Sequence, residues 1–501
     1  MRPSLTLNTG SGVAHFLAAV VVSVLGAALI WLTNGNGLVI PALCIGVMVM
    51  WLLVSHLDFG LYALLAATMV LDQFRVFGFV DSVTTMVPFY LNLNTSTGIG
   101  PLVFNPVELL LVIVVGAWFL RAMVSREWHL FRIPNIGIAV VFLLMMIFFT
   151  GFGLARGGDW KAALWEIRAL YYLCFVYFIA AQIIRKRQQV QTCVWIIIVG
   201  VAIKGFQGCW RYFITRQGDL GTLRAILGHE DSLFIVTIMV LLAACYFLGY
   251  RGREFKFMLA TLPTNLLTFV FNQRRITYGV LGLSLGIVVA MLPRERMLQA
   301  LRVVIPCALL FAVYTAAFWN KSGGAAMPAQ KIKSMFVKQE GTVDNESTEW
   351  RKLELINLKA TVRAYPLGIG FGNQYLIVVP YADIGAEFPL WRYIPHCALY
   401  WVWIKTGFVG FAIFWLFFGT AIVQAMIDYR AMRDPYFKAL ALMVILFIVG
   451  QVIVAYYDLQ ITFYRNMIYL GFAMALGTSI RRIEAAEIVA GPVSRLTGNG
   501  D

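Results

Sequence analysis

The stretch NIGIAVVFLLMMIFFTGFGL, residues 135–154, carries no charged side chain. It has the ~20 apolar residues that an α-helix needs to cross a ~30 Å hydrocarbon layer. Similar stretches recur along the chain, at 13–32, 37–56, 59–77, 106–123, 166–184, 190–213, 232–250, 256–272, 276–293, 301–319, 405–427, 437–456 and 461–480. Of the 501 residues, 60% are apolar and only 13% charged, and the mean hydropathy is +0.78. A soluble domain carries roughly 25% charged residues. The expected fold is therefore an all-α polytopic membrane protein of about 12–14 transmembrane helices. The first apolar stretch is long enough to span and lacks a small-residue cleavage site, so it reads as a membrane anchor and not as a signal peptide.

Lys and Arg collect in alternate connections. With the N-terminus inside, the basic segments Arg121 to Arg132, Arg185 to Arg187, Arg251 to Lys256, Arg294 to Arg302, Arg430 to Lys438 and the tail from Arg481 all fall on the cytoplasmic side. This is the usual bias of short inner loops. It places both termini in the cytoplasm and the connections 73–105, 155–165 and 214–231 outside. The chain divides into a helical membrane region, 1–319, one long outer loop, 320–396, and C-terminal spans with a cytoplasmic tail, 397–501. The net charge of +15 is then a topology signal with some attraction to anionic lipid headgroups, and requires no nucleic acid.

Cys44, Cys174, Cys193, Cys209, Cys245, Cys307 and Cys397 are scattered, without a CxxC pair or disulfide-like cluster. Cys397 adjoins His396, but neighbours on a helix point about 100° apart, which disfavours a thiolate–imidazole dyad. With this orientation the unusual cations are outward arginines: Arg211, Arg216 and Arg224 around one outer loop, Arg274 and Arg275 in the turn FNQRRITYG, and Arg465 just inside the last span. A guanidinium at membrane depth is costly unless paired or lining an aqueous cavity, and its planar fork suits phosphate oxygens. Arginines at span ends also snorkel to headgroups without a specific ligand.

The segment STEWRKLELINLKATVRAYPLGIGFGNQYL (347–376), followed by IPHCALYWVWIKTGFVGF (394–411), resembles the signature region of the bacterial O-antigen ligase and O-antigen polymerase superfamily. The resemblance maps onto Arg351, Pro366, Gly368, Gly370, Gly372, Asn373, His396, Leu399, Gly407 and Gly410. Upstream, LRAILGHEDSLF matches through Arg224, and NQRRITYGVLGL through Arg275 or, in a shifted register, Arg274. Cys397 stands where the family has Asn, and Lys405 where Glu is common. The similarity covers roughly residues 215–415.

The resemblance implies a C-type glycosyltransferase architecture in the bacterial inner membrane. It further implies transfer of a glycan from a polyprenyl diphosphate carrier to a saccharide or lipid-linked acceptor at the periplasmic face, in the company of other polysaccharide-assembly proteins. The reaction inverts and uses no metal or cofactor. His396 would take the acceptor proton, and Arg224, Arg275, Arg274, Arg211 and Arg351 would hold the diphosphate. The residues agree: such a transfer needs cations for the leaving group and a base for the acceptor oxygen, and imidazole is suited to the latter near neutral pH. No DxD pair occurs in an outer loop, where the acids Glu340, Asp344, Glu346, Glu349, Glu354, Asp383 and Glu387 are dispersed.

The glycines of PLGIGFGN fit a tight turn returning the loop to the membrane; they could otherwise cradle a phosphate with their amides. The segment around Arg351 and Arg363 reads as an amphipathic helix with Trp350, Leu353, Ile356, Leu358 and Val362 on its apolar face. The competing reading of the whole chain is a transporter or flippase, which would carry charges near the midplane and an internal repeat.

Overall fold

The computed structural model describes residues 19–21, 23–24, 26–28, 48, 51–53, 55–76, 78–79, 82–97, 103–125, 133–220, 223, 225–337, 343–386 and 388–490. The stretches 13–32 and 37–56 lie mostly outside the described residues, as does Arg224. All regular structure among the described residues is helical. The main helices are α1 (Leu57–Val70), α2 (Pro106–Ser125), α3 (Ile136–Ala155), α4 (Trp160–Ile183), α5 (Arg187–Trp210, continued by a π turn Arg211–Thr215), α6 (His229–Leu248) and α7 (Arg253–Phe271). They continue with α8 (Arg275–Met291), α9 (Arg294–Ala317), α10 (Met327–Phe336), α11 (Val343–Ala364), α12 (Ala398–Ala431), α13 (Pro435–Tyr457) and α14 (Tyr464–Ala490). Among the described residues, 8 helices are long and apolar enough to cross a membrane: α2 to α6, α9, α12 and α13. The protein is a multi-pass membrane protein.

The chain forms two units, residues 1–61 with 110–129, and residues 62–109 with 130–501. In the first, Gly60 lies where a Cβ would come within 2.6 Å of Val114 and 2.7 Å of Leu53, so the side chains close over bare backbone. The second unit holds all the remaining helices. Its most enclosed spans are α4, α6 and α13; α9 is exposed along nearly its whole length. The main packing pairs are α4 with α14, α5 with α7, α12 with α13, α6 with α13, and α3 with α12.

Short connections make successive helices from α5 to α9 antiparallel, and likewise α12 to α14. At one end of the second unit Arg187 pairs with Asp434 and Glu487, Glu484 accepts from the Arg433 and Asp434 amides, and Arg296 donates to the Phe247 carbonyl. At the other end lie the α5–α6, α7–α8 and α13–α14 connections and the long segment carrying α10 and α11.

Two apolar stretches end differently from expectation. The helix read at 59–77 stops at Val70, because Asp72 and Gln73 turn inward to meet charged and polar partners. The one read at 405–427 begins at Ala398 and is broken at Gly407, whose φ of 60° is left-handed. The segment 366–373 plugs that break. Ile369 and Gly370 amides donate to the Ile404 and Lys405 carbonyls, and the Phe408 amide donates to Pro366 O. The break would otherwise strand these backbone groups inside the membrane region.

Candidate functional site

The glycines of PLGIGFGN serve packing. A Cβ on Gly370 would lie 2.3 Å from Gly153 Cα, and one on Gly372 2.6 Å from Asp159 O. Their amides are also committed: Gly368 N donates to Tyr365 O, Phe371 N to Phe149 O, and Gly372 N to Glu166 Oε2 at 2.6 Å. With the Ile369 and Gly370 amides bonded to α12, no amide from 368 to 372 points at a ligand, which leaves the turn as the role of this motif.

Beneath the loop, Lys405 Nζ lies 2.6 Å from Glu166 Oε1, both side chains wholly buried. Glu166 also accepts from Trp401 Nε1 at 3.1 Å. Lys405 thus has a carboxylate partner from α4.

The loop reaches its far end at His396. Its backbone amide donates to both oxygens of Glu354 at 3.1 Å, and its Nδ1 lies 3.4 Å from Glu354 Oε1, the long end of the hydrogen-bond range. Glu354 is buried, whereas 24% of the His396 side chain is exposed. Trp350 packs edge-on against the imidazole, centroids 4.8 Å apart. The carboxylate fixes the ring from one side and leaves Nε2 as the nitrogen able to meet a substrate.

α11 is a spine for this arrangement, but with a different buried face from the one its apolar residues suggest. Glu354, Asn357, Leu358 and Thr361 are buried, and Ile356 is 47% exposed. The polar members hold the returning chain: Asn357 Oδ1 accepts from the Val378 and Val379 amides at 2.8 Å, and Thr361 Oγ1 from Leu376 N at 3.0 Å. Those amides belong to an extended segment without a neighbouring strand, so the helix supplies their partners.

A second carboxylate–imidazole pair lies close by. His229 Nδ1 is 2.9 Å from Asp458 Oδ2. Burial acts to raise the Asp458 carboxyl, but the charge and hydrogen bond of His229, with further contributions from Arg351 and His396, hold it well below the usual carboxylate range. Asp458 therefore lies within electrostatic reach of both imidazoles and of Arg351. The Nε of Arg351 is buried without a hydrogen-bond partner among the described residues.

The loop preceding His229 is pinned from two sides. Asn272, at the end of α7, accepts from the Ile226 and Leu227 amides at 3.1 and 2.9 Å and donates to Gly228 O at 3.1 Å. Arg211, 5% exposed, donates to Ile226 O at 2.7 Å and lies over the Phe79 ring. The structure therefore joins the segment ILGHED to NQRRITYG through Asn272, and EWRKLE to IPHC through Glu354. Within them, Arg351 and His396 are neighbours of one charge cluster. Arg211 is buried as a support of the 226–229 loop, and Arg274 and Arg275 begin α8, where Arg275 Nη1 reaches Ser334 O of α10 at 3.4 Å. Arg465 is committed to Glu230 and Asp231, at 2.7 and 2.8 Å, and Asp72 is bound by Lys204 at 2.6 Å.

Sequence reading counts Glu354 only among dispersed acids and does not single out His229 or Asp458. The three-residue offset of Glu354 from Arg351 on one helix was a usable signal. Nothing in the sequence joins Glu354 to His396 or His229 to Asp458 across the chain. Cys397 differs from a reactive thiol: burial pushes its pKa up to about 11, so it is uncharged near neutral pH.

No known protein-family model matches this chain, and no curated protein matches it.

Proposed function

We propose that the protein is an inner-membrane glycosyltransferase of the O-antigen ligase or polymerase type, with a C-type architecture and its site on the periplasmic side. It moves a glycan from polyprenyl diphosphate to an acceptor hydroxyl in lipopolysaccharide or exopolysaccharide assembly. The observation that carries the reading is the carboxylate-backed His396 in one charge cluster with Arg351, at the helix end opposite the basic connections. Arg185, Lys186, Arg187, Arg251, Arg253, Arg294, Arg296 and Arg433 all belong to that opposite end, the one that the positive-inside bias assigns to the cytoplasm.

In this mechanism His396 Nε2 takes the acceptor proton as the acceptor oxygen forms its bond to the anomeric carbon. The bond from that carbon to the terminal phosphate oxygen breaks, its electron pair stays on the phosphate, and polyprenyl diphosphate leaves with one more negative charge. Arg351 receives that charge, with Arg224, Arg274 and Arg275 as further contacts and Arg211 supporting the 226–229 loop. Preorganised charge at a developing anion is usually the largest single catalytic term.

The test is complementation of a deletion strain with His396→Ala and Arg351→Ala. Both variants are expected to express normally and to lose product; unattached carrier-linked polymer identifies a ligase, and loss of long chains a polymerase. Full complementation by both at normal expression overturns the reading.

A further inference from the structure

A row of aromatic rings lies beside His396, and the transfer step does not use it. Trp350 stands 4.8 Å from the His396 imidazole and 4.8 Å from Tyr381, and Tyr381 stands 5.3 Å from Trp391, centroid to centroid. The rings come from different parts of the long segment: Trp350 from α11, Tyr381 from the chain that Asn357 holds against that helix, and Trp391 from the stretch leading into His396. Trp391 is buried, while Trp350 and Tyr381 are half-buried. The row is therefore closed at the end away from His396 and open beside it.

The polar tips of Trp350 and Tyr381 are bonded within the protein. Trp350 Nε1 donates to Ala382 O at 3.1 Å. Tyr375 uses its hydroxyl hydrogen on Trp391 O at 3.1 Å, so the Tyr381 hydroxyl is the donor in its bond to Tyr375. Tryptophan and tyrosine of an interfacial belt do the reverse, keeping the ring in lipid and the N–H or O–H toward water. The surface that Trp350 and Tyr381 have left to present is apolar ring, held in a fixed position.

Charged groups stand at the rim of this surface. Asp383, two residues from Tyr381, pairs at 3.7 Å with Arg392, next to Trp391, and the two side chains are 64% and 45% exposed. Arg392 lies over the Trp391 ring at 4.9 Å, and Asp383 Oδ1 accepts from the Gly385 amide at 2.7 Å. A pyranose has the matching form, with C–H groups on its faces and hydroxyls around its edge. Flat rings answer the first, and a carboxylate with a guanidinium answers the second. A lipid chain would match the rings alone.

We propose that Trp350 and Tyr381 form the platform on which a pyranose ring of the acceptor stacks, with Asp383 and Arg392 at its edge to bond the ring hydroxyls. This rests on the glycosyl-transfer reading and deepens it, since it names the acceptor as a sugar ring and gives it a place against the base. Trp350 touches both the imidazole and the sugar, and so sets one acceptor hydroxyl against His396 Nε2. That hydroxyl gives its proton to Nε2 while its oxygen bonds the anomeric carbon of the donor. The bond from that carbon to the phosphate oxygen breaks, and its electron pair leaves with the diphosphate.

The experiment uses the full-length protein in detergent, titrated separately with oligosaccharides released by mild acid from the producing strain's own surface polysaccharide and with farnesyl diphosphate for the donor side. Trp350→Ala is expected to weaken oligosaccharide binding about tenfold and to leave farnesyl diphosphate affinity unchanged. Trp350→Phe, which keeps a flat ring, is expected to stay within about threefold of the wild type. Tyr381→Phe, which removes only the inward hydroxyl, is expected to bind as the wild type does, and Tyr381→Leu to lose affinity as Trp350→Ala does. The leucine variant keeps the proposal open to refutation should Trp350→Ala fail to fold. Rings that merely pack around His396 would leave oligosaccharide affinity unchanged in every variant. Wild-type affinity in either ring-deleting variant that folds, or no oligosaccharide binding by the wild type, overturns the platform and leaves the transferase reading in place. Wild-type binding of oligosaccharide without binding of farnesyl diphosphate overturns the transferase reading and leaves a saccharide site on these rings.

Discussion

At the scale of single residues, the site depends on carboxylates that place imidazoles. Glu354 touches His396 through both the backbone amide and the ring, so Glu354→Gln keeps an acceptor but removes the charge. Loss of an orienting partner of this type typically costs 10–100-fold. The expected result is a fall of about that size in kcat with donor KM unchanged, measured in proteoliposomes; an unchanged kcat would remove Glu354 from the mechanism. Cys397 gives a pH prediction. A thiol held up to about 11 by burial is protonated well past the ~8.5 of a free cysteine, and only the thiolate reacts. In a variant whose sole cysteine is Cys397, iodoacetamide labelling should therefore keep rising with pH through 9 and 10, whereas a free thiol levels off near 9. The sequence reading reaches His396 from its place after Pro395 at the end of the long loop together with the resemblance, and Arg351 through the resemblance alone. Glu354, His229 and Asp458 were not legible: a carboxylate in a polar loop looks ordinary until the fold sets it against a ring 42 positions away in one pair and far across the chain in the other.

At the scale of elements, the central device is the break in α12 at Gly407 and the glycine-rich segment that fills it. The sequence signalled a turn through Gly368, Gly370 and Gly372, all with positive φ in the structure. The helix break was less legible, since the apolar run around KTGF reads through a glycine without interruption; only the tertiary partner of the freed carbonyls explains it. The Lys405–Glu166 pair beneath the loop makes this junction sensitive to charge. Removing one partner from a buried ion pair leaves the other uncompensated and costs about 3–5 kcal/mol, whereas replacing both by neutral groups costs far less. Lys405→Met and Glu166→Gln should each lower the thermal unfolding temperature in detergent sharply, and the double variant should recover much of the loss. Additive losses would mean that the two side chains contribute separately. The same logic accounts for a lysine at position 405: a cation there is sustainable because α4 supplies its carboxylate.

At the scale of the whole molecule, the apolar stretches were legible because hydrocarbon length sets a clear threshold on the sequence; the stretches 256–272 and 461–480 also read as spans and form α7 and α14, which are not among the 8 helices long and apolar enough to cross. The consequence to be tested is orientation. Antiparallel connections put the long segment with α10 and α11 at one end and Arg251 and Arg433 at the other, together with Arg185, Lys186, Arg187, Arg294 and Arg296. Translocating such clusters is disfavoured, so the basic end is expected in the cytoplasm and His396 is expected to face outward. In a background without native cysteines, Lys352→Cys and Asp383→Cys, both at exposed positions, should react with a membrane-impermeant maleimide in intact spheroplasts. Arg251→Cys and Arg433→Cys should react only after the membrane is permeabilised. The opposite pattern would turn His396 and Arg351 toward the cytoplasm, where a donor presented on the outer leaflet could not reach them, and the proposed transfer would fail on geometry whatever the chemistry of the site.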